Sequence, residues 1–149
     1  MGMIIDNEFT VPAPADKVMT YLLDVDKVAK CLPGAQLTQI VDAQTYKGKM
    51  KIKLGPLDLT FSGTVNIVEM DNDNGRIVMK ANGSEEKGKG IASADVVVTI
   101  TDQGGSTHVK LHQDINMSGQ VAQFGRGMIA DVAGSMITQF AACLKTSIR

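Results

Sequence analysis

Tyr46-Lys47-Gly48-Lys49-Met50-Lys51-Ile52-Lys53-Leu54 is the stretch that decides the fold of this chain. Lysine alternates with an apolar or small residue without a break, and a period of two is the period of a β-strand. One face is solvated lysine, while Tyr46, Gly48, Met50, Ile52 and Leu54 on the other must bury against something. Gly55-Pro56 turns the chain, and Leu57, Leu59, Phe61, Gly63, Val65 and Ile67 repeat the alternation. The pair predicts a long antiparallel hairpin with one dry face. Strands of about ten residues are longer than most, and a curved sheet of that size wraps a helix or encloses a cavity.

Working outward, residues 3–11 read as a first strand that Pro12-Ala13-Pro14 stops. Pro14 suits the first turn of a helix running to about Leu23, because a first-turn amide has no helical partner to lose. Asp24 or Asp26 caps a second short helix through Cys31, which Pro33-Gly34 ends. Further strands are predicted over 36–41, 46–54, 57–70, 75–84, 87–101 and 106–117. Asn72-Asp73-Asn74-Gly75 and Asp102-Gln103-Gly104-Gly105 supply hairpin turns. Ser118-Gly119 then opens a long helix to about Lys145, with Val121, Phe124, Met128, Val132, Met136 and Phe140 at three- and four-residue spacing. The order predicts an α+β fold, a seven-stranded curved antiparallel sheet wrapped around a long C-terminal helix, with two short helices after the first strand. It resembles the helix-grip arrangement of START-like proteins.

At 149 residues, a single domain over 1–149 is the default. A net charge of -1 argues against nucleic acid as a partner. Hydrophobic residues make up 44% of the chain but aromatics only 4%, so nine methionines take part of the apolar role. Methionine suits an irregular or ligand-lined interior and serves equally as a gap filler in an ordinary core. Cys31 and Cys143, far apart and without CxxC spacing, are expected as reduced buried thiols of a cytoplasmic protein. No signal-peptide pattern opens the chain, and no stretch approaches the roughly 20 apolar residues of a membrane span.

No catalyst is visible. His108 and His112 share a strand face with Lys110, Asp114 and Asn116, a solvated pattern, while Val109, Leu111, Ile115 and Met117 occupy the other phase. Glu85, Glu86 and Lys87 read as a solvated cluster at a turn. No Ser-His-Asp order, zinc spacing or phosphate loop occurs, so catalytic and metal residues are expected to be none.

The inward phase instead outlines a cavity. Met50, Ile52, Phe61, Val65, Ile77 and Met79 line the first half of the sheet; Ala92, Ala94, Val96, Leu111 and Met117 line the second. Small residues at Gly48, Gly63, Ala81, Gly90, Ala92 and Ala94 leave volume unfilled. From the long helix, Phe124, Met128, Val132 and Met136 face them. Apolar, concave spaces of this kind hold small molecules, unless the helix fills the space completely. Gln113 breaks the apolar phase and reads as a polar anchor or a rim residue, as do Asn7 and Gln39. Gly125 and Gly127, inside the predicted helix, each cost about 1 kcal/mol against alanine. Either the helix approaches a strand closely there, or Gly125, Arg126 and Gly127 form a gate and partner-facing end.

Five segments resemble the carbon monoxide dehydrogenase G-subunit (CoxG) family. They are Thr10-Val11-Pro12-Ala13-Pro14, Cys31-Leu32-Pro33-Gly34-Ala35, Tyr46-Lys47-Gly48, Gly55-Pro56 with Phe61-Ser62-Gly63-Thr64, and Ser118-Gly119-Gln120-Val121-Ala122-Gln123-Phe124-Gly125-Arg126-Gly127. The last is the most specific. Many members of that family continue past the long helix into a flexible tail with an apolar end, whereas this sequence stops at Arg149. The resemblance implies a non-catalytic accessory protein of a molybdenum hydroxylase such as carbon monoxide dehydrogenase. Its expected place is cytoplasmic, at most peripheral to the inner face of the cell membrane. No covalent cofactor is expected. The cavity suggests a bound quinone or lipid carried between membrane and enzyme. Two other readings stay open: an enzyme of the polyketide cyclase or hydrolase type, and a docking protein whose core is full.

Overall fold

A computed structural model describes residues 2–148. The chain runs β1 (Met3–Val11), α1 (Ala15–Leu23), α2 (Val25–Cys31), β2 (Ala35–Ile40), β3 (Thr45–Leu54), β4 (Leu57–Asp71), β5 (Arg76–Glu85), β6 (Ile91–Asp102), β7 (Thr107–Ser118), a 3-10 turn (Gln120–Gln123) and α3 (Arg126–Ser147). The strands form one seven-stranded antiparallel sheet in the order β1-β7-β6-β5-β4-β3-β2. The lysine strand pairs as its alternation requires, with Tyr46 opposite Val65, Met50 opposite Phe61 and Leu54 opposite Leu57. The predicted helix-grip architecture is the observed one.

The sheet bends where its backbones approach closely. A Cβ on Gly63 would collide with the Asn82 carbonyl oxygen, and one on Gly48 would lie 2.6 Å from the Gln36 carbonyl oxygen. Bulges at Leu37/Gln39 and Ile67/Glu69 interrupt the register of β2 and β4. Strand glycines and bulges are the usual means by which a long sheet curls.

Burial divides into two cores. The first gathers Val11, Val18, Tyr21, Cys31, Ile77, Val98, Val109, Phe140 and Leu144, where α1 and α2 close one end of the sheet. The second gathers Ile5, Leu54, Leu59, Phe61, Val121 and Ile129 at the other end. α3 crosses the concave face between them. Its backbone runs closest to β1 and β3, so the central strands bow away beneath it. Phe140 meets Phe9 of β1 edge-to-face at 6.2 Å.

Four expectations need correction. First, α3 does not open at Ser118-Gly119. Gly119 has φ 82, Phe124 is extended, and fully buried Val121 anchors the 3-10 turn through its N–H to the Lys89 carbonyl at 3.0 Å. The helical phase therefore restarts at Arg126. Its buried stripe is Ile129, Phe140, Ala141 and Leu144, and Met128 is left exposed. Second, Cys31 and Cys143 are bonded as a disulfide, with Cα atoms 5.4 Å apart. They meet because α2 docks on the last turns of α3, a contact that 112 residues of intervening sequence conceal. Third, Glu85 is buried rather than solvated. Fourth, α3 is by length and composition apolar enough to cross a membrane. Its glycines, alanines and serines disguise this, because they interrupt the apolar run without adding charge. In the fold, Ile129, Phe140, Ala141 and Leu144 of that helix are buried and most of its other apolar residues half-buried, with Met128 the large hydrophobic left exposed.

Candidate functional site

The inward phase is sealed at its ends and open in its middle. Along β4, Leu59, Phe61 and Ile67 are buried, whereas Gly63 and Val65 between them are half-buried. β5 is buried at Ile77 and Glu85 but half-buried at Met79, Ala81 and Gly83. β6 and β7 bury Val98, Ile100, Thr107 and Val109, then leave Ala92, Ala94, Val96, Leu111, Gln113, Ile115 and Met117 half-buried. Strand register stacks the small positions into rows across the sheet. Val65, Ala81, Ala94 and Ile115 are successive partners, and so are Gly63, Gly83, Ala92 and Met117. Small side chains in adjacent rows make a band of half-buried surface between the two cores, beneath the crossing of α3.

Two open grooves flank α3 at this level. One, of about 490 Å³, lies between α3 and β1, lined by Asn7, Phe9, Gly134, Ile137 and Ala141. The other, of about 440 Å³, lies between α3 and β3, lined by Gly34, Ile52, Val132, Ser135 and Met136. At Asn7, on the wall of the first, the Gln113 side-chain amide donates to the Asn7 side-chain oxygen at 3.0 Å. The pair is uncharged. Gln39 stands exposed on the sheet edge instead.

The predicted lining residues distribute unequally. Met50, Val65, Ala94 and Met136 pack into neither core. Ile52, Val132 and Met136 line the β3-side groove. Met79, Val96 and Leu111 lean on the first core, and Ala92, Met117 and Phe124 on the second, in which Phe61 is buried. Met128 lies near the β3–β4 turn instead: a Cβ on Gly55 would sit 3.7 Å from its terminal methyl and 3.9 Å from the Phe124 ring. The helix flank of the β1-side groove went unpredicted. Its signal lies in small Gly134, Ala141 and Ala142, which a helical stripe of large residues does not reveal.

The glycines at the helix start differ from expectation. Gly125 precedes α3 as its N-cap with ordinary φ -72, and Gly127 lies in the first turn. A Cβ on either would meet nothing within 4 Å, which removes close helix–strand approach as their reason. Arg126 is exposed, and its guanidinium donates to the Ile4 carbonyl at 2.9 Å, tying the start of α3 to β1.

The carboxylate on the inward phase of β5 is already committed. Glu85 accepts from the backbone N–H of Thr60 at 3.0 Å, Lys87 at 2.8 Å and Lys89 at 3.3 Å. The Thr60 amide, with those of Lys87 and Lys89, holds its pKa below the usual carboxylate range against the opposing effect of burial. An ionised group so enclosed braces the β5–β6 turn and has no proton to give. The histidines lie on the outer face as expected, His112 Nδ1 at 2.7 Å from Asp6 and His108 Nε2 at 3.8 Å from Glu8. Among the described residues, no group of three or more His, Cys, Asp or Glu converges in a way that would hold a metal.

The family profile for CoxG, the G-subunit of carbon monoxide dehydrogenase, matches residues 8–149. Among solved structures, a conserved protein from Geobacillus kaustophilus is similar at TM-score 0.87 and 19% identity, over 98% of this chain and 95% of that one. A START superfamily protein from Mycobacterium smegmatis is similar at TM-score 0.62 and 14% identity, over 97% and 96%. So is an aromatase/cyclase from Streptomyces sp. R1128, at TM-score 0.62 and 12% identity, over 99% and 92%. At these identities the likeness establishes the fold alone. No curated protein sequence matches the chain.

Proposed function

The chain belongs to the CoxG family of carbon monoxide dehydrogenase, and on that premise we propose that it is a non-catalytic carrier of an apolar molecule, a quinone or lipid. It takes its cargo from a membrane and presents it to a molybdenum hydroxylase of the carbon monoxide dehydrogenase type. What supports this reading is the band of small, half-buried residues beneath α3, with an open groove on either side and the Asn7–Gln113 amide pair near one of them; on this proposal the band floors a hollow that takes the cargo. A carrier must load and unload. An isoprenoid tail gains about 0.8 kcal/mol per methylene on leaving water, and the bilayer offers the same gain. Transfer between bilayer and hollow is thus near balance, and the headgroup decides its direction. A quinone carbonyl accepts hydrogen bonds but carries no charge, which matches a neutral amide pair better than an ionised side chain.

The likeness to a cyclase supports an enzymatic alternative. That alternative needs an acid or base free to act in the hollow, and Glu85 is held by backbone amides. The test is mass spectrometry of organic extracts from purified protein. A prenylated quinone or lipid in near-stoichiometric amount supports the carrier. Protein that stays empty and takes up no prenylated quinone from detergent solution contradicts it.

A further inference from the structure

The lysines that set the strand period are themselves placed as a surface. Lys47, Lys49, Lys51 and Lys53 all project from the outer face of β3 and are exposed. Alternate residues of a strand lie about 7 Å apart, so the row runs roughly 20 Å. Among the described residues, Lys49 alone of the four forms an ion pair, with Glu86 at 2.9 Å. Net charge is only -1, so the row is local segregation rather than general basicity. Two acids lie beside the row, Asp58 opposite Lys53 and Glu86 paired with Lys49, and further acids, Asp6 and Glu8 of β1 and Asp95 and Asp114 of β6 and β7, share the outer phase at the far side.

The row leads to the mouth of the site. Lys51 and Lys53 also border the β3-side groove. Beyond them the Gly55-Pro56 turn lies beside Met128, which is 39% exposed. The outer-face row thus reaches the border of the groove at Lys51 and Lys53. Two classes of partner fit a positive row, an acidic protein and an anionic bilayer. The chemistry of the row favours the bilayer. Arginine forks are the usual means of gripping a particular carboxylate, and none occurs here. Lysines are point charges on flexible apolar stems that reach sideways to a plane of headgroups while the stems lie in its apolar boundary.

We propose that Lys47, Lys51 and Lys53 dock the protein on an anionic lipid surface, with the β3-side groove at the edge of the contact. The purpose of this contact rests on the carrier reading; its geometry does not. The test is co-sedimentation of the full chain with vesicles of phosphatidylcholine alone or mixed with phosphatidylglycerol. A parallel assay measures uptake of a prenylated quinone from detergent solution. Wild type should bind the phosphatidylglycerol vesicles and release them as salt rises. Lys47→Gln/Lys51→Gln/Lys53→Gln should lose about fivefold in partitioning per lysine, roughly a hundredfold in all, while Lys47→Arg/Lys51→Arg/Lys53→Arg keeps binding. Asp6→Asn/Glu8→Gln, at the far edge, should bind as wild type does. Vesicle binding that ignores phosphatidylglycerol, or that survives the glutamine substitutions, overturns the docking surface. That includes the case in which the lysines serve an acidic protein instead. Failure of the carrier reading looks different: wild type takes up no quinone from detergent, whatever the vesicles show.

Discussion

Glu85 shows how a single side chain shapes the molecule without joining the site. Its lowered pKa means that the folded state holds the ionised form more tightly than the unfolded chain does. Glu86 is lowered by Lys49 first and then by Ser62, and Asp71 by the Asn74 side chain. All three contribute stability that is present above the ordinary carboxylate value, 4.5 for glutamate, and lost as pH falls through the lower folded values. Denaturant midpoints are therefore expected to hold steady from neutral pH to about 5 and then to fall. Glu85→Gln should be less stable than wild type at neutral pH and lose less on acidification, since it no longer titrates. An acid limb as steep as that of wild type would show that Glu85 contributes nothing to it. The sequence hid this residue. A glutamate followed by another glutamate and a lysine at a turn reads as solvated, and nothing in the pattern says that the chain folds back to offer it amides. Asn7 and Gln113 were more legible, because each interrupts an apolar phase.

At the scale of elements, strands were easier to read than the last helix. The alternation from Tyr46 to Leu54 fixes which residues face inward, and burial of Leu54, Leu59, Phe61 and Ile67 follows it. The start of α3 was misplaced because helical spacing runs unbroken through Phe124, while the φ of Gly119 interrupts it in space. Gly127 has open space around it within the first turn of α3, so replacing it with alanine should raise stability by about 0.4 to 1 kcal/mol, whereas Gly125 is the N-cap, where alanine caps more poorly and no gain is expected. Thermal melts check this, and a lower Tm would mean that the chain needs glycine there for a reason other than packing. If the helix start is also the gate, the same variant will exchange quinone more slowly. The other end of α3 is pinned by Cys31–Cys143, a loop of 112 residues. In the chain-entropy account, opening so long a loop costs about 4 to 5 kcal/mol. Dithiothreitol or Cys143→Ser should lower Tm clearly, and an unchanged Tm would show that the bridge is dispensable.

The molecule as a whole is a sheet with two cores and a band of small residues between them, and its architecture was legible because the turns at Gly55-Pro56, 72–75 and 102–105 announced themselves, whereas residues 87–90, expected to begin β6, belong to the turn before it. The band was legible only in part. Small residues at alternate positions pointed to it, but only strand register shows that Ala81 lies beside Ala94, between Val65 and Ile115. The register also separates two substitutions that look alike in sequence. Ala92 packs against the second core, so Ala92→Phe should overpack and cost roughly 1 to 3 kcal/mol. Ala94 belongs to neither core, so Ala94→Phe should extend into the hollow at little cost to Tm and occupy the space of the ligand. The most direct test of a carrier is therefore quinone uptake, measured as bound quinone per protein after incubation with quinone-loaded vesicles. Wild type is expected to approach one per chain and Ala94→Phe to fall well below it while melting near the wild-type temperature. Equal uptake by the two proteins, or none by wild type, would contradict the hollow as the site of transport.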